Sequence, residues 1–139
     1  MDDNGEPDGL PDRIRQENAM NDAQQIVDRY IAAWNQKDPA ARRAEIDALW
    51  TENGAYIDPL AEAEGRDAID ATIGAVQAQF PDFVFRLAGG VDAHHDLARF
   101  TWELGPAGGE AVVVGFDVAV LTKDGRIDRV HGFLDKVPA

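Results

Sequence analysis

The chemistry-bearing residue that stands out is Asp117, in the run Ala111-Val-Val-Val-Gly-Phe-Asp-Val-Ala-Val-Leu121, which is apolar on both alternating faces except for this carboxyl group. Its own face carries Ala111, Val113, Gly115, Ala119 and Leu121, small enough to leave room for a molecule against the strand. Desolvation disfavours the charged carboxylate and can raise its pKa by roughly 3 to 5 units, leaving a neutral hydrogen-bond donor. A core Asp satisfied by backbone groups is the alternative. Two further groups could join it. Tyr30 falls on the apolar stripe of the first predicted helix and points inward, and Asp58, followed by Pro59, sits at the exit of a short strand. Their structural alternatives are a core tyrosine and an Asx-type turn closing the strand.

The elements that must position these groups follow from periodicity. Ile26, Tyr30, Ala33 and Trp34 share one face of a helix predicted over Asn21–Lys37, ended by Asp38-Pro39. Pro39 opens a second helix with Ile46, Leu49 and Trp50 as its stripe, stopped at Asn53-Gly54. A strand over Ala55–Asp58 and an acidic loop to Gly65 precede a third helix over Asp67–Phe80, with Ile69, Ile73, Val76 and Phe80 on one face. The period then changes to two: Phe83, Phe85 and Leu87, then Phe100, Trp102 and Leu104, mark strands, followed by Ala111–Leu121 and Ile127–Leu134. Turn signals at Gly105-Pro106, Gly108-Gly109 and Lys123-Asp124-Gly125 make the sheet mainly antiparallel. The order predicts an α+β domain, three helices closing over a curved sheet.

Composition narrows the partners. With 26 acidic against 13 basic residues the formal charge is −13, which repels phosphate backbones and anionic lipid, so neither nucleic acid nor a membrane is expected as a partner. There is no cysteine, which excludes disulfides and thiolate metal sites. No apolar run reaches the roughly 20 residues of a membrane span and the start lacks the pattern of a signal peptide, so a cytoplasmic protein is expected. Residues 1–19 hold six acidic and two basic side chains and few apolar ones, the composition of a disordered arm, which leaves one domain over 20–139. His94-His95-Asp96 does not make a metal site, because adjacent strand side chains point to opposite faces, and no metal or cofactor is expected.

Over about residues 20–137 the chain resembles the nuclear transport factor 2-like superfamily of cone-shaped α+β domains, within it the SnoaL-like branch and the ketosteroid isomerases. The resemblance rests on Arg29-Tyr30-Ile31-Ala32-Ala33 in the first helix, Asp58-Pro59 after the first strand, and Asp117 late in the sheet. It implies catalytic roles for all three: Asp58 as the base that takes a proton beside a carbonyl, Tyr30 and a neutral Asp117 as donors to the enolate oxygen. It also implies a pocket lined by Trp34, Trp50, Val84, Phe100, Trp102, Val130 and Leu134, with Arg86 sharing the strand face of Val84, and a homodimer paired through the sheet. The limonene epoxide hydrolases share this fold, but their Asp-Arg-Asp arrangement is incomplete here, since Thr101 follows Arg99. The expected function is cofactor-independent proton transfer on a small hydrophobic, carbonyl-containing molecule, as isomerase, cyclase or dehydratase. The alternative is a non-catalytic module that binds a small ligand or dimerises. Replacing the isomerases' aliphatic side chains with Trp34 and Trp102 argues against a flat tetracyclic steroid.

Overall fold

A computed structural model describes residues 11–138. Three helices, α1 (Asp12–Asn35), α2 (Pro39–Leu49) and α3 (Arg66–Gln79), pack on one face of a six-stranded sheet. The strands are β1 (Trp50–Ile57), β2 (Glu62–Glu64), β3 (Phe83–His94), β4 (Leu97–Pro106), β5 (Val113–Leu121) and β6 (Ile127–Lys136), in the order β2-β1-β6-β5-β4-β3. The β1–β6 pairing is parallel and the others are antiparallel, which is the mainly antiparallel α+β architecture expected. Register shifts between Ala88 and Asp92, and along β6, bend the sheet around the helices. Among the described residues no helix is long and apolar enough to cross a membrane.

Helix α1 starts earlier than its apolar stripe suggests. Pro11, at φ −55°, precedes a helix that runs from Asp12, so residues 12–19 of the predicted arm are helical, and the rest of that arm, residues 1–10, lies outside the described residues. Further along, Ala23, Ile26, Val27, Tyr30, Ala33 and Trp34 are buried, the three-and-four spacing carried onto the sheet. Helix α2 is capped by Asp38, whose carboxylate accepts the Ala41 N–H at 2.9 Å, with Pro39 in the first turn.

The chain leaves α2 at Leu49, not at Asn53-Gly54, because Trp50 already pairs with Ile127 across β6. Gly54 is then a strand residue whose missing side chain makes room for the Trp50 ring, 2.7 Å from where a Cβ would stand. The acidic loop contains β2, which pairs Ala63 with Tyr56. His94 and His95 lie at the β3–β4 hairpin, with His95 at φ 52°, and both are exposed.

Candidate functional site

The inner face of β5 presents Val113, Gly115, Asp117 and Ala119 to the helices. Asp117 is 1% exposed and pairs with Phe100 on β4 and Gly132 on β6. Helix α1 sets Tyr30 over it, and the phenol donates to Asp117 Oδ2 at 2.9 Å. The other oxygen, Oδ1, is buried with no hydrogen-bond partner. Gly132 accommodates it, since a Cβ there would stand 2.9 Å from Oδ1 and 3.3 Å from Asp58 Cβ. The two carboxyl groups thus approach one another across a residue without a side chain.

Asp58 is half-buried in the turn that closes β1. Its Oδ1 accepts the N–H groups of Leu60 and Ala61, each at 2.8 Å, and its own N–H donates to the Ala61 carbonyl at 2.9 Å. Pro59 suits this Asx turn because it fixes φ where the chain reverses. Its Oδ2 accepts the Tyr56 phenol at 2.6 Å. Sequence reasoning missed Tyr56, although a residue two positions before Asp58 on a strand shares its face.

Electrostatics separates the groups. Burial raises the pKa of Asp117 to about 6, the indole of Trp102 and the phenol of Tyr30 pull it back, and the charge of Asp58 adds to the rise. The indole of Trp102 favours the charged carboxylate, yet no hydrogen bond between them is completed and Oδ1 keeps its free valence. Burial, and then the charge of Asp117, hold Tyr30 well above the usual tyrosine value, and the same two causes raise Tyr56. Both phenols therefore remain donors throughout the neutral range.

These four polar groups open onto one cavity of about 320 Å³. Trp34, Phe80, Phe85 and Trp102 supply aromatic wall, with Val113 and Leu134 at the sheet. Among the described residues that line it there is no Lys, Arg or His. Tyr30, Asp58, Asp117, Trp34, Trp102 and Leu134 all line this cavity. Four residues expected there do not. Trp50, Phe100 and Val130 are sealed into the core, 1%, 2% and 0% exposed, because the helices cover that end of the sheet. Val84 is turned away from Phe85, which takes the wall position, and Arg86 pairs outside with Glu103 at 2.9 Å. Leu60, Val76, Leu104 and Val137, which line the cavity too, gave no separate signal in the sequence.

Comparison with known proteins places this geometry in a family. The model of the SnoaL-like domain matches residues 27–130. A candidate isomerase of the SnoaL-like family from Agrobacterium tumefaciens is 43% identical, with a TM-score of 0.79 over 84% of this chain and 99% of that one. A candidate SnoaL-like polyketide cyclase from Jannaschia is 17% identical, with a TM-score of 0.69 over 94% of this chain and 92% of that one. An NTF2-like protein with a cystatin-like fold from Novosphingobium aromaticivorans is 24% identical, with a TM-score of 0.66 over 88% and 86%. The last two show likeness of fold. No curated protein matches the chain. On the family match and the Agrobacterium relative, the chain belongs to the SnoaL-like family of the NTF2-like superfamily.

Proposed function

We propose that the protein is an enzyme that moves a proton on a small, uncharged carbonyl compound without a cofactor, as an isomerase or cyclase does. The observation that carries this reading is the buried Asp117 carboxyl, with a free oxygen, on the wall of the same apolar cavity as Asp58. A carbonyl compound entering the cavity expels water, which deepens the desolvation of Asp117 and favours its neutral form. Asp117 then donates to the substrate oxygen through its unpartnered side, and Tyr30 holds the other oxygen of the carboxyl. Asp58 takes the proton from the α-carbon, oriented by the Tyr56 phenol and two backbone N–H groups. The enolate oxygen gains its donor in a place of low dielectric, where it is strongest, and Asp58 returns the proton to carbon to complete an isomerisation.

Deuterium exchange at the α-carbon of 2-tetralone, followed by NMR in D2O, tests the reading. The protein should accelerate exchange over buffer, and Asp58→Asn should slow it by about 10² to 10⁴-fold, the usual worth of a positioned base, without a change in the folding transition. The rate should fall as pH rises through about 6, because the acid form of Asp117 is lost there. Wild-type protein that exchanges no faster than buffer would refute the proposal, as would an Asn variant that keeps its rate.

One observation favours a second reading. Asp58 already accepts three hydrogen bonds, two within its own turn and one from Tyr56 on β1, which suits a structural role. In a non-catalytic ligand carrier, Asp58→Asn would leave the affinity for an uncharged phenol such as 2-naphthol unchanged and no exchange would occur in either protein.

A further inference from the structure

The cavity is bounded on its sheet side by Trp102, and what lets that large ring lie there is the absence of a side chain on the next strand. Gly115 on β5 faces inward between Val113 and Asp117, in register with Trp102 on β4 and Leu134 on β6. A Cβ at Gly115 would stand 2.0 Å from Cζ2, 2.2 Å from Cε2 and 2.7 Å from Nε1 of the indole. Real Cβ atoms do not approach so closely, and these atoms belong to a rigid ring. The indole therefore rests directly on the β5 backbone.

The surroundings fix where the ring would go if lifted. Phe85 meets it edge-on at 5.4 Å and 60°, and Trp102 is only 8% exposed, so solvent offers no easy exit. The nearest open volume is the cavity that both rings line. Lifting the indole also takes its N–H away from the Asp117 carboxyl, two residues along β5 from Gly115. One backbone position thus governs two properties of the site, its open volume and the donor beside its acid.

We infer that Gly115 is the positioning and specificity-determining residue of this site: by seating the Trp102 indole flat on β5, it keeps the cavity open to a ring-sized ligand and holds the indole N–H beside the Asp117 carboxyl. The inference rests on the proposed function only in taking the cavity as the place where the ligand binds. Alanine, the smallest chiral replacement, is enough to disturb it, because adding even one methyl group to a filled wall forces its neighbours to shift.

The experiment uses three variants, Gly115→Ala, Trp102→Phe and the double variant Gly115→Ala/Trp102→Leu, with two readouts. Calorimetric titration with 2-naphthol reads the open volume, and the carboxyl-carbon NMR midpoint of Asp117 reads the seat without any ligand. Gly115→Ala should weaken 2-naphthol by about tenfold or more, the equivalent of modest overpacking, and the double variant, with no ring to lift, should regain most of the affinity. The Asp117 midpoint should rise above about 6 in Gly115→Ala and in Trp102→Phe, since an N–H that favours the charged form has been withdrawn. Wild-type affinity and an unchanged midpoint in Gly115→Ala overturn the inference, and so does a folded double variant that stays as weak as the single one. Should Gly115→Ala fail to fold, an unmoved midpoint in Trp102→Phe overturns it. Failure of the wild type to bind 2-naphthol counts instead against the carbonyl reading, while the midpoints still decide the role of Gly115.

Discussion

Among the described residues two ionisable side chains are buried, and they are treated in opposite ways. Arg42, 8% exposed on α2, is partnered through two of its nitrogens: Nε donates to Asp70 at 2.7 Å, Nη1 donates to Gln77 at 2.7 Å, and the guanidinium lies against Gly74, where a Cβ would come within 3.3 Å. Asp117, 1% exposed on β5, has one phenol and an oxygen with nothing bound to it. A chain able to satisfy a guanidinium with two side chains leaves a carboxyl half-satisfied on the sheet. Buried polar groups are nearly always paired, because an unpaired one costs about 1 to 3 kcal/mol. Among the described residues Glu45 Oε2 is also buried without a partner, and Asp117 differs in that its free oxygen stands where the apolar cavity meets the sheet, which is where a binding site has use for an unspent valence.

The largest effect expected from this contrast is at the satisfied residue. Arg42→Ala would strand Asp70 and Gln77 and remove a bracket between α2 and α3. Breaking a buried pair costs about 3 to 5 kcal/mol, and since the Asp70 side chain is 25% exposed the lower end applies, near 3 kcal/mol. For a domain of this size that lowers the melting temperature by roughly 10 °C. The affinity for 2-naphthol should not change below the transition. A loss under about 1 kcal/mol, the range of an exposed pair, would remove the distinction between the two residues.

How much of this contrast was legible before the structure depends on how local each feature is. Asp117 was legible because period-two alternation declares both faces of a strand and makes one carboxyl conspicuous. Tyr30 was legible from the three-and-four spacing of α1. The wall was read less well: Phe85 lines the cavity and Val84 does not, because which face of β3 turns inward depends on its pairing with β4 and on the bulge near Gly89. Trp50, Phe100 and Val130 have the right faces but the wrong depth along the sheet, and depth follows from where the helices cross. The parallel pairing of β1 with β6, which brings Asp58 next to Gly132 and Asp117, joins segments about 75 residues apart and has no local signature. The partner network of Arg42, spread over α2 and α3, is of the same non-local kind.

The second prediction turns the contrast around. Asp117→Asn should stabilise the protein, not destabilise it. The carboxyl has a folded pKa of about 6 against 3.8 for the ordinary group, so between those values the folded state binds more protons than the unfolded one. Stability is then greatest below about pH 4 and falls as pH rises through about 6. That difference corresponds to about 3 kcal/mol of cost at pH 8, and an amide, which cannot ionise but keeps a polar atom in the same place, should recover about 2 kcal/mol of it. Urea unfolding at pH 4, 6 and 8 checks the sign: the gain should be near zero at pH 4 and full at pH 8. A variant destabilised equally at all three would mean that the carboxylate is a structural group like Arg42.

The smallest effect concerns the single bond that Asp117 does make. Tyr30→Phe keeps the ring, and with it the edge contacts to Trp34 at 6.3 Å and Phe100 at 5.6 Å, and removes only the hydroxyl. The phenol favours the charged carboxylate, so its loss should move the Asp117 midpoint upward from about 6. The accompanying loss of stability should be about 1 kcal/mol at pH 8, the net worth of one hydrogen bond, and clearly smaller at pH 4, where a neutral acid needs the donor less. That sign separates two uses of the same bond. If Tyr30 served the carboxyl as Asp70 and Gln77 serve Arg42, its removal would cost as much in acid as in base. A pH-dependent loss, together with slower exchange of 2-tetralone at a pH where Asp117 is already neutral, would instead identify the phenol as part of the arrangement that meets the substrate oxygen, because at that pH the carboxyl no longer needs holding and only the ligand is left to feel the missing hydroxyl.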